Sequence, residues 1–450
     1  MMNVFTQKII SFEKSSLTVL RGLKKLKLIY AVIDGMGDLP ISELGGKTPL
    51  EAAKTPNMDF LAGNGQTGLM YTVGKGVAPE SDAAVISLLG YDPFKYSTGR
   101  GIIEAVGAGI DVRNGDLALR CNFATLGRDR EIVDRRVART LTTEEAIELS
   151  EAANEEVVLQ SCPAVFEFKN TLGHRAVLVI RNKLCSLSGK ISNSDPAYIT
   201  VDGLGVATPD AEMLLKECVP LVDTEAAKIS ASLVNEFIAK THSLWENHEV
   251  NKKRAAQGKL KANVVLTRDA SDRLPNFFHI GRRYGLSFAA LADMHAENGI
   301  ARLAGMHSAL LPPPTSNIKN DCELRVKRLA DLLPSYDCFY IHLKGPDEPG
   351  HDGNCRRKTD IISAIDEHFF GNLLKEISLE DCMLCVTADH ATPCSIKVHS
   401  DTPVPLLISG GATKKGKVSK FSERECKRGS LGIMDHAWKL MPKLMKMLKK

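Results

Sequence analysis

Lys27-Leu28-Ile29-Tyr30-Ala31-Val32-Ile33-Asp34-Gly35-Met36-Gly37-Asp38 is the stretch on which the fold turns. Its first seven residues read as a short buried strand that ends at Asp34. Small residues past a strand let backbone and ligands approach closely, as at the carboxyl ends of open parallel sheets. Short apolar runs of the same kind return at Gly285-Leu286-Ser287-Phe288-Ala289-Ala290-Leu291, Tyr340-Ile341-His342, Met383-Leu384-Cys385-Val386-Thr387 and Leu406-Leu407-Ile408, with helical patterns between them. Strands alternating with helices predict an α/β fold on a mainly parallel sheet.

From about residue 121 to 284 the texture changes to a hairpin-like stretch at 128–140, an acidic helical stretch at 143–156, and strand candidates at Phe166–Phe168 and Ala176–Ile180. An inserted α+β domain is expected over 121–284, with 1–120 and 285–450 as the two parts of one α/β domain.

A chain of 450 residues can bury a large core without disulfides, and 44% apolar with 25% charged residues is the composition of a soluble globular protein. No uninterrupted apolar stretch is long enough to span a bilayer, so no membrane partner is expected. A formal charge of +4, from 58 basic and 54 acidic residues, is too small to wrap a long nucleic acid, and no nucleic-acid partner is expected. Homo-oligomerisation is left open. The eleven cysteines form no compact metal motif, and Cys382 and Cys385 read as core thiols in a reducing compartment. The first 28 residues set Glu13 alone against Lys8, Lys14, Arg21, Lys24, Lys25 and Lys27. That extension is the one feature pointing to organelle targeting, and the expectation is otherwise cytoplasmic.

Ser81-Asp82 lies between the loop Gly74-Lys75-Gly76-Val77-Ala78-Pro79-Glu80 and the apolar run Ala83 to Leu89. A helix beginning there puts Ser81 at its positive end, where unsatisfied amides favour an alkoxide or a phosphate. Asp347 and His351 stand in Lys344-Gly345-Pro346-Asp347-Glu348-Pro349-Gly350-His351-Asp352-Gly353, a glycine- and proline-rich loop whose spacing can bring oxygen and imidazole to one ion. Asp389 and His390 follow the run Met383 to Thr387, and His399 lies in the next extended segment. Recurring carboxylate–imidazole pairs at strand ends, together with Asp34, predict a metal centre for zinc, manganese or a related ion.

These residues, with Thr48-Pro49-Leu50, Thr55-Pro56-Asn57-Met58-Asp59, Leu88-Leu89-Gly90-Tyr91-Asp92-Pro93 and Asn122-Phe123-Ala124-Thr125, resemble the archaeal-type branch of the cofactor-independent phosphoglycerate mutases, within the alkaline phosphatase superfamily. The resemblance runs from about residue 27 to the end. It implies an alkaline-phosphatase-like three-layer α/β/α metal domain with an inserted α+β substrate-binding domain. It further implies 2,3-bisphosphoglycerate-independent interconversion of 3-phosphoglycerate and 2-phosphoglycerate, with Ser81 as the metal-activated, phosphoryl-accepting nucleophile. By the same resemblance Asp34, Ser81, Asp389 and His390 surround one divalent ion, Asp347, His351 and His399 surround a second, and Lys344 lies near the transferring group. Manganese is the first choice for both ions, with zinc, magnesium and cobalt as alternatives. The family pattern has glycine where Glu80 stands, and a carboxylate there could repel phosphate or restrict the backbone.

The expected partner is a small phosphorylated sugar acid. Arg100 offers an anion-binding group on a glycine-flanked loop, and Asp134-Arg135-Arg136, Arg139, His174-Arg175 and Arg268-Asp269 carry the functional groups of the inserted domain. Several guanidinium groups can hold a phosphate and a carboxylate together. The resemblance raises Arg135, Arg175 and Arg268 as clamps, while Asn122 and Asp134 could orient the sugar-acid hydroxyl. Two rival functions stay open. A metal-dependent phosphatase or phosphodiesterase would let water resolve the phosphoserine and release inorganic phosphate. A noncatalytic metal-stabilised interaction protein would turn over neither isomer.

Overall fold

The computed structural model describes residues 25–201, 204–207 and 211–449. The basic extension singled out above lies almost wholly outside the described residues. The described residues divide into two compact units, one within 25–90, 284–291 and 314–449 and the other within 91–283 and 292–313. No helix among the described residues is long and apolar enough to cross a membrane.

The first unit is built on the opening stretch. Lys27–Ile33 is a strand, buried from Leu28 onward, and it pairs in parallel with Cys338–Leu343 on one side and Cys382–Thr387 on the other. Phe288–Ala292 adds a parallel neighbour outside Cys338–Leu343. The sheet is thus mainly parallel, as the alternation of strands and helices requires. Val404–Gly410 is the exception, running antiparallel to both Cys382–Thr387 and Gly65–Met70. Cys382 and Cys385 are buried strand residues with free thiols.

Register explains where the chemistry collects. Val32 lies opposite both His342 and Thr387, so the three central strands end together and release Asp34, Lys344 and Asp389 on one edge. The Asp34 amide donates to the Leu343 carbonyl at 2.9 Å and closes that edge.

The second unit is an antiparallel sheet with helices, and it begins at residue 91 where the sequence reading set 121. Leu117–Leu126 pairs with Ile132–Asp134, Arg175–Asn182 and Val264–Ser271, and Arg175–Asn182 pairs with Ala164–Leu172. Alternation divides its residues. Leu119, Cys121 and Phe123 enter a core with Phe168, Phe237 and Trp245, while Ala118, Val177 and Val179 pack with Ile102 and Ala105 of the helix Arg100–Gly107. Arg120 and Asn122, two residues apart, share the face that carries no part of the aromatic core.

One buried charge ties the first unit's loops together. The Lys358 ammonium is fully buried and donates to the Gly37 carbonyl at 3.0 Å, the Asp38 carboxylate at 2.8 Å and the Thr392 carbonyl at 2.8 Å. Asp38 also accepts from the Leu39 and Cys394 amides. Replacing Lys358 by Met strands a buried carboxylate and two carbonyls. In urea denaturation, Lys358→Met is expected to lose about 3–5 kcal/mol, and adding Asp38→Asn to recover part of that loss. A loss below about 1 kcal/mol would mean that the pair contributes no more than a surface ion pair.

Candidate functional site

In the first unit the strand-end loops bring Asp34, Ser81, Lys344, Asp347, His351, Asp389, His390 and His399 into one cluster. Two sets within it place a ligand atom of every member within 4.8 Å of the others, Asp347, His351 and His399, and Asp34, Asp347 and His390, and a third adds His342 to Asp34 and Asp389. Asp347 and His351 lie on a short helix, Asp347–Asp352, rather than on the irregular loop expected from its glycines and prolines. The i,i+4 spacing on that helix puts both side chains on one face, with His351 Nε2 3.4 Å from Asp347 Oδ1. Gly35, at φ +62°, is demanded by the same packing, because a Cβ there would stand 2.7 Å from the Asp347 Cα.

Ser81 opens the helix Ser81–Leu88, as its position before the apolar run predicts, and its Oγ is 3.2 Å from His390 Nε2. Glu80 is exposed, with φ −74° and ψ 154°. That is ordinary extended backbone, so the position makes no conformational demand for glycine.

Hydrogen bonds at the far side of each ring fix the imidazoles. Thr392 Oγ1 donates to Asp347 Oδ1 at 2.6 Å, so its oxygen is left to accept the Nδ1 proton of His390 at 3.0 Å. His351 Nδ1 donates to the Lys397 carbonyl at 2.9 Å and His399 Nδ1 to the Pro79 carbonyl at 2.8 Å. In the neutral tautomers so assigned, all three Nε2 lone pairs turn toward carboxylate oxygens. His390 Nε2 is 3.4 Å from Asp34 and 3.3 Å from Asp389, and His399 Nε2 is 3.5 Å from Asp347. Lone pairs facing anions at such distances call for a positive species between them. Asp34 Oδ1 and Asp389 Oδ2 are buried without a hydrogen-bond partner among the described residues, which also fits a divalent cation.

The titration behaviour has the same origin. Burial alone would raise the Asp34 carboxyl, but the Lys344 ammonium at 3.0 Å, with His390, holds it well below the usual range. Burial would likewise raise Asp347, and contacts with His351, His399 and Thr392 overcome it. Asp347 in turn lifts the His351 imidazole to about 9, so a proton occupies that position when no cation does. Burial and then the Asp34 charge push Asp389 well above its ordinary value.

The remaining candidates, Arg100, Asn122, Asp134, Arg135, His174, Arg175 and Arg268, all fall in the second unit. Glu104 accepts from Arg100 Nε at 2.8 Å and lies 3.1 Å from Arg120 Nε. Burial would raise it, yet Arg120, Arg100 and Arg175 hold it at about 2. Burial, followed by Arg175, Arg136, Arg139 and Arg268, lowers the His174 imidazole to about 4, so it is neutral at pH 7. Asn122 Oδ1 is buried without a hydrogen-bond partner among the described residues. Asp134 Oδ1 accepts from the Arg136 amide at 2.7 Å and the Ala138 amide at 2.8 Å, which makes it a turn former. A cavity of about 470 Å³ is lined by Asp134, Arg135, Arg136, Arg139 and Met213, among others.

Sequence reasoning missed His342, Thr392, Lys358, Arg120 and Asp195. His342 and Arg120 had a signal, since each lies in a strand two residues from a residue that was singled out. Thr392, Lys358 and Asp195 act through contacts remote in sequence, which no local pattern reports.

The family model for 2,3-bisphosphoglycerate-independent phosphoglycerate mutase matches residues 62–251. The 2,3-bisphosphoglycerate-independent phosphoglycerate mutase of Aeropyrum pernix is 42% identical over 94% of this chain and 100% of its own length. That of Methanopyrus kandleri is 40% identical over 91% of this chain and 94% of its own. Among solved structures, a Pyrococcus horikoshii protein matches with a TM-score of 0.77 at 30% identity, covering 94% of this chain and 98% of that one. The cofactor-independent phosphoglycerate mutase of Thermoplasma acidophilum matches with a TM-score of 0.62 at 30% identity, covering 94% and 100%.

The turn after Asp134 holds three consecutive non-glycine residues in the left-handed region, Val137 at φ 52°, Ala138 at 49° and Arg139 at 56°. Each costs roughly 1–2 kcal/mol there, against roughly 0.4–1 kcal/mol for the extra unfolded-chain entropy of glycine. Ala138→Gly is therefore expected to stabilise the protein by about 0.5–1 kcal/mol in chemical denaturation. A destabilised variant would show that this turn carries no such strain.

Proposed function

The chain belongs to the 2,3-bisphosphoglycerate-independent phosphoglycerate mutase family, and from that premise we propose that it interconverts 3-phosphoglycerate and 2-phosphoglycerate through a phosphoserine at Ser81. The observation that carries the proposal is the meeting of the Ser81 hydroxyl with a buried imidazole and carboxylates whose free lone pairs converge. Asp34, Ser81, Asp389 and His390 would hold one divalent cation, and Asp347, His351 and His399 a second. The oxygen and imidazole donors suit manganese first, with zinc, magnesium or cobalt as alternatives. When bound, the ions lower the pKa of the serine hydroxyl and neutralise charge on the phosphoryl oxygens.

The chain's own groups do the rest. Ser81 Oγ gives up its proton and forms its bond to phosphorus as the bond to the C3 oxygen of 3-phosphoglycerate breaks, and that oxygen takes up one proton to leave as a hydroxyl. The positive end of the helix Ser81–Leu88, where Ser81 stands, favours the negative oxygens. Lys344 adds a positive charge on a flexible stem, suited to a group that moves. In the second half, the C2 hydroxyl loses its proton and takes the phosphoryl group, and Ser81 recovers its own hydroxyl. A mutase must keep glycerate while the phosphate rests on serine, and Arg135, Arg175 and Arg268 are the groups to hold its carboxylate.

Manganese-loaded protein is expected to form 2-phosphoglycerate from 3-phosphoglycerate without a bisphosphorylated primer, and chelation to stop it. Ser81→Ala is expected to lower turnover by about 10⁴-fold or more. Metal content should largely persist, since Asp34, Asp389 and His390 remain. Wild-type turnover in a metal-replete Ser81→Ala variant would require another nucleophile. Predominant release of inorganic phosphate would make the protein a phosphatase.

A further inference from the structure

Two arginines of the second unit converge on one buried carboxylate that the mechanism above does not use. Asp195 is 1% exposed. It accepts from Arg135 Nε at 2.9 Å and Nη2 at 2.7 Å, a two-pronged contact, and from Arg268 Nη1 at 2.9 Å. Tyr198, three residues later, lays its ring under both guanidinium groups, 5.1 Å from Arg135 and 4.4 Å from Arg268. The segment bearing both residues is anchored to the strand Val264–Ser271. The Ser194 amide donates to the Thr267 carbonyl at 3.0 Å, and the Thr267 amide donates to Ser194 Oγ at 2.8 Å.

We propose that Asp195 is a positioning residue, which sets Arg135 and Arg268 as a ready-made anion clamp by occupying their inner edges and leaving their outer N–H groups for the ligand. Two guanidinium groups on one oxygen repel each other, and Arg120 faces Arg268 directly across the sheet. Without Asp195 both side chains would be driven apart toward solvent. With it, the trio keeps one excess positive charge. Arg135 commits two of its five N–H groups to Asp195, and Arg268 commits one. A carboxylate or phosphate then meets donors whose rotamers were fixed on folding, so binding does not have to order them.

Two effects of removing the charge oppose each other. Asp195→Asn makes the site more positive, which attracts anions, but it also frees both guanidinium groups. Since the contact is bidentate and buried, loss of position should dominate. The inference relies on the mutase assignment only for its kinetic assay.

In metal-loaded full-length protein, Asp195→Asn is expected to raise the KM for 3-phosphoglycerate about ten- to a hundredfold, the scale of a charge-assisted hydrogen bond, while kcat changes little. In an Arg268→Ala background the same substitution is expected to move KM far less, because it acts through that arginine. Calorimetry with glycerate, whose carboxylate is the group given to this clamp, supplies a readout independent of turnover, and its affinity should fall in parallel. An unchanged or lower KM, a loss confined to kcat, or full additivity with Arg268→Ala would overturn the proposal. If Asp195→Asn does not fold, Tyr198→Leu is to be read in the same way, where a smaller rise in KM, again coupled to Arg268, is expected and an unaltered KM counts against it. Wild-type protein that turns over neither isomer would refute the mutase reading alone, and glycerate affinity would still decide the role of Asp195.

Discussion

An ammonium group removed from water must be met on each of its protons, and Lys358 is met by the Gly37 carbonyl, the Asp38 carboxylate and the Thr392 carbonyl. Two of those partners follow the central strand, and the third lies beyond Cys382–Thr387. The two loops that carry Asp34, Asp389, His390 and Thr392 are therefore held at one spacing. Gly350 lets the Asp347–Asp352 helix press against the Thr392 carbonyl, where any side chain would collide. Thr392 then links the third loop to the first two through Asp347 and His390. The centre depends on this scaffold, since ligand atoms on separate loops keep hydrogen-bond distances only while the loops keep theirs.

Each unit gathers its own set of buried charges. The first gathers Asp34, Asp347 and Asp389 with the imidazoles of His351, His390 and His399, a set that could hold a divalent cation. The second gathers Arg100, Arg120, Arg135, Arg175 and Arg268 with Glu104, Asp195 and Asp269, leaving an excess of positive charge. In each, burial works against the charged groups and neighbours of opposite sign restore them, as at Asp34 and Glu104.

Much of this could be read from the sequence. Lys27–Ile33 is a strand over the residues its apolar run marks, and Ser81 starts a helix because an apolar run follows a proline- and glycine-bearing loop. Gly65–Met70 escaped notice because Gly-Gln-Thr-Gly offers no apolar run, although the sheet buries it. The reversed direction of Val404–Gly410 was equally hidden, since Leu406-Leu407-Ile408 reads the same in either sense. Glycine and proline weigh against a helix over Asp347–Asp352, and packing against the Thr392 loop outweighs that preference. Donors with local company were legible; the groups that aim them, Thr392, Lys358 and Asp195, were not.

The measurement that bears most directly on a confined phosphoserine route follows both halves of one substrate. 3-Phosphoglycerate labelled separately in phosphate and in glycerate is added to metal-loaded protein with unlabelled glycerate and no bisphosphorylated primer. Both labels are expected in the same 2-phosphoglycerate molecule, with little inorganic phosphate. Exchange of labelled glycerate with the free pool, or an absolute need for primer, would contradict transfer through Ser81 with the glycerate retained.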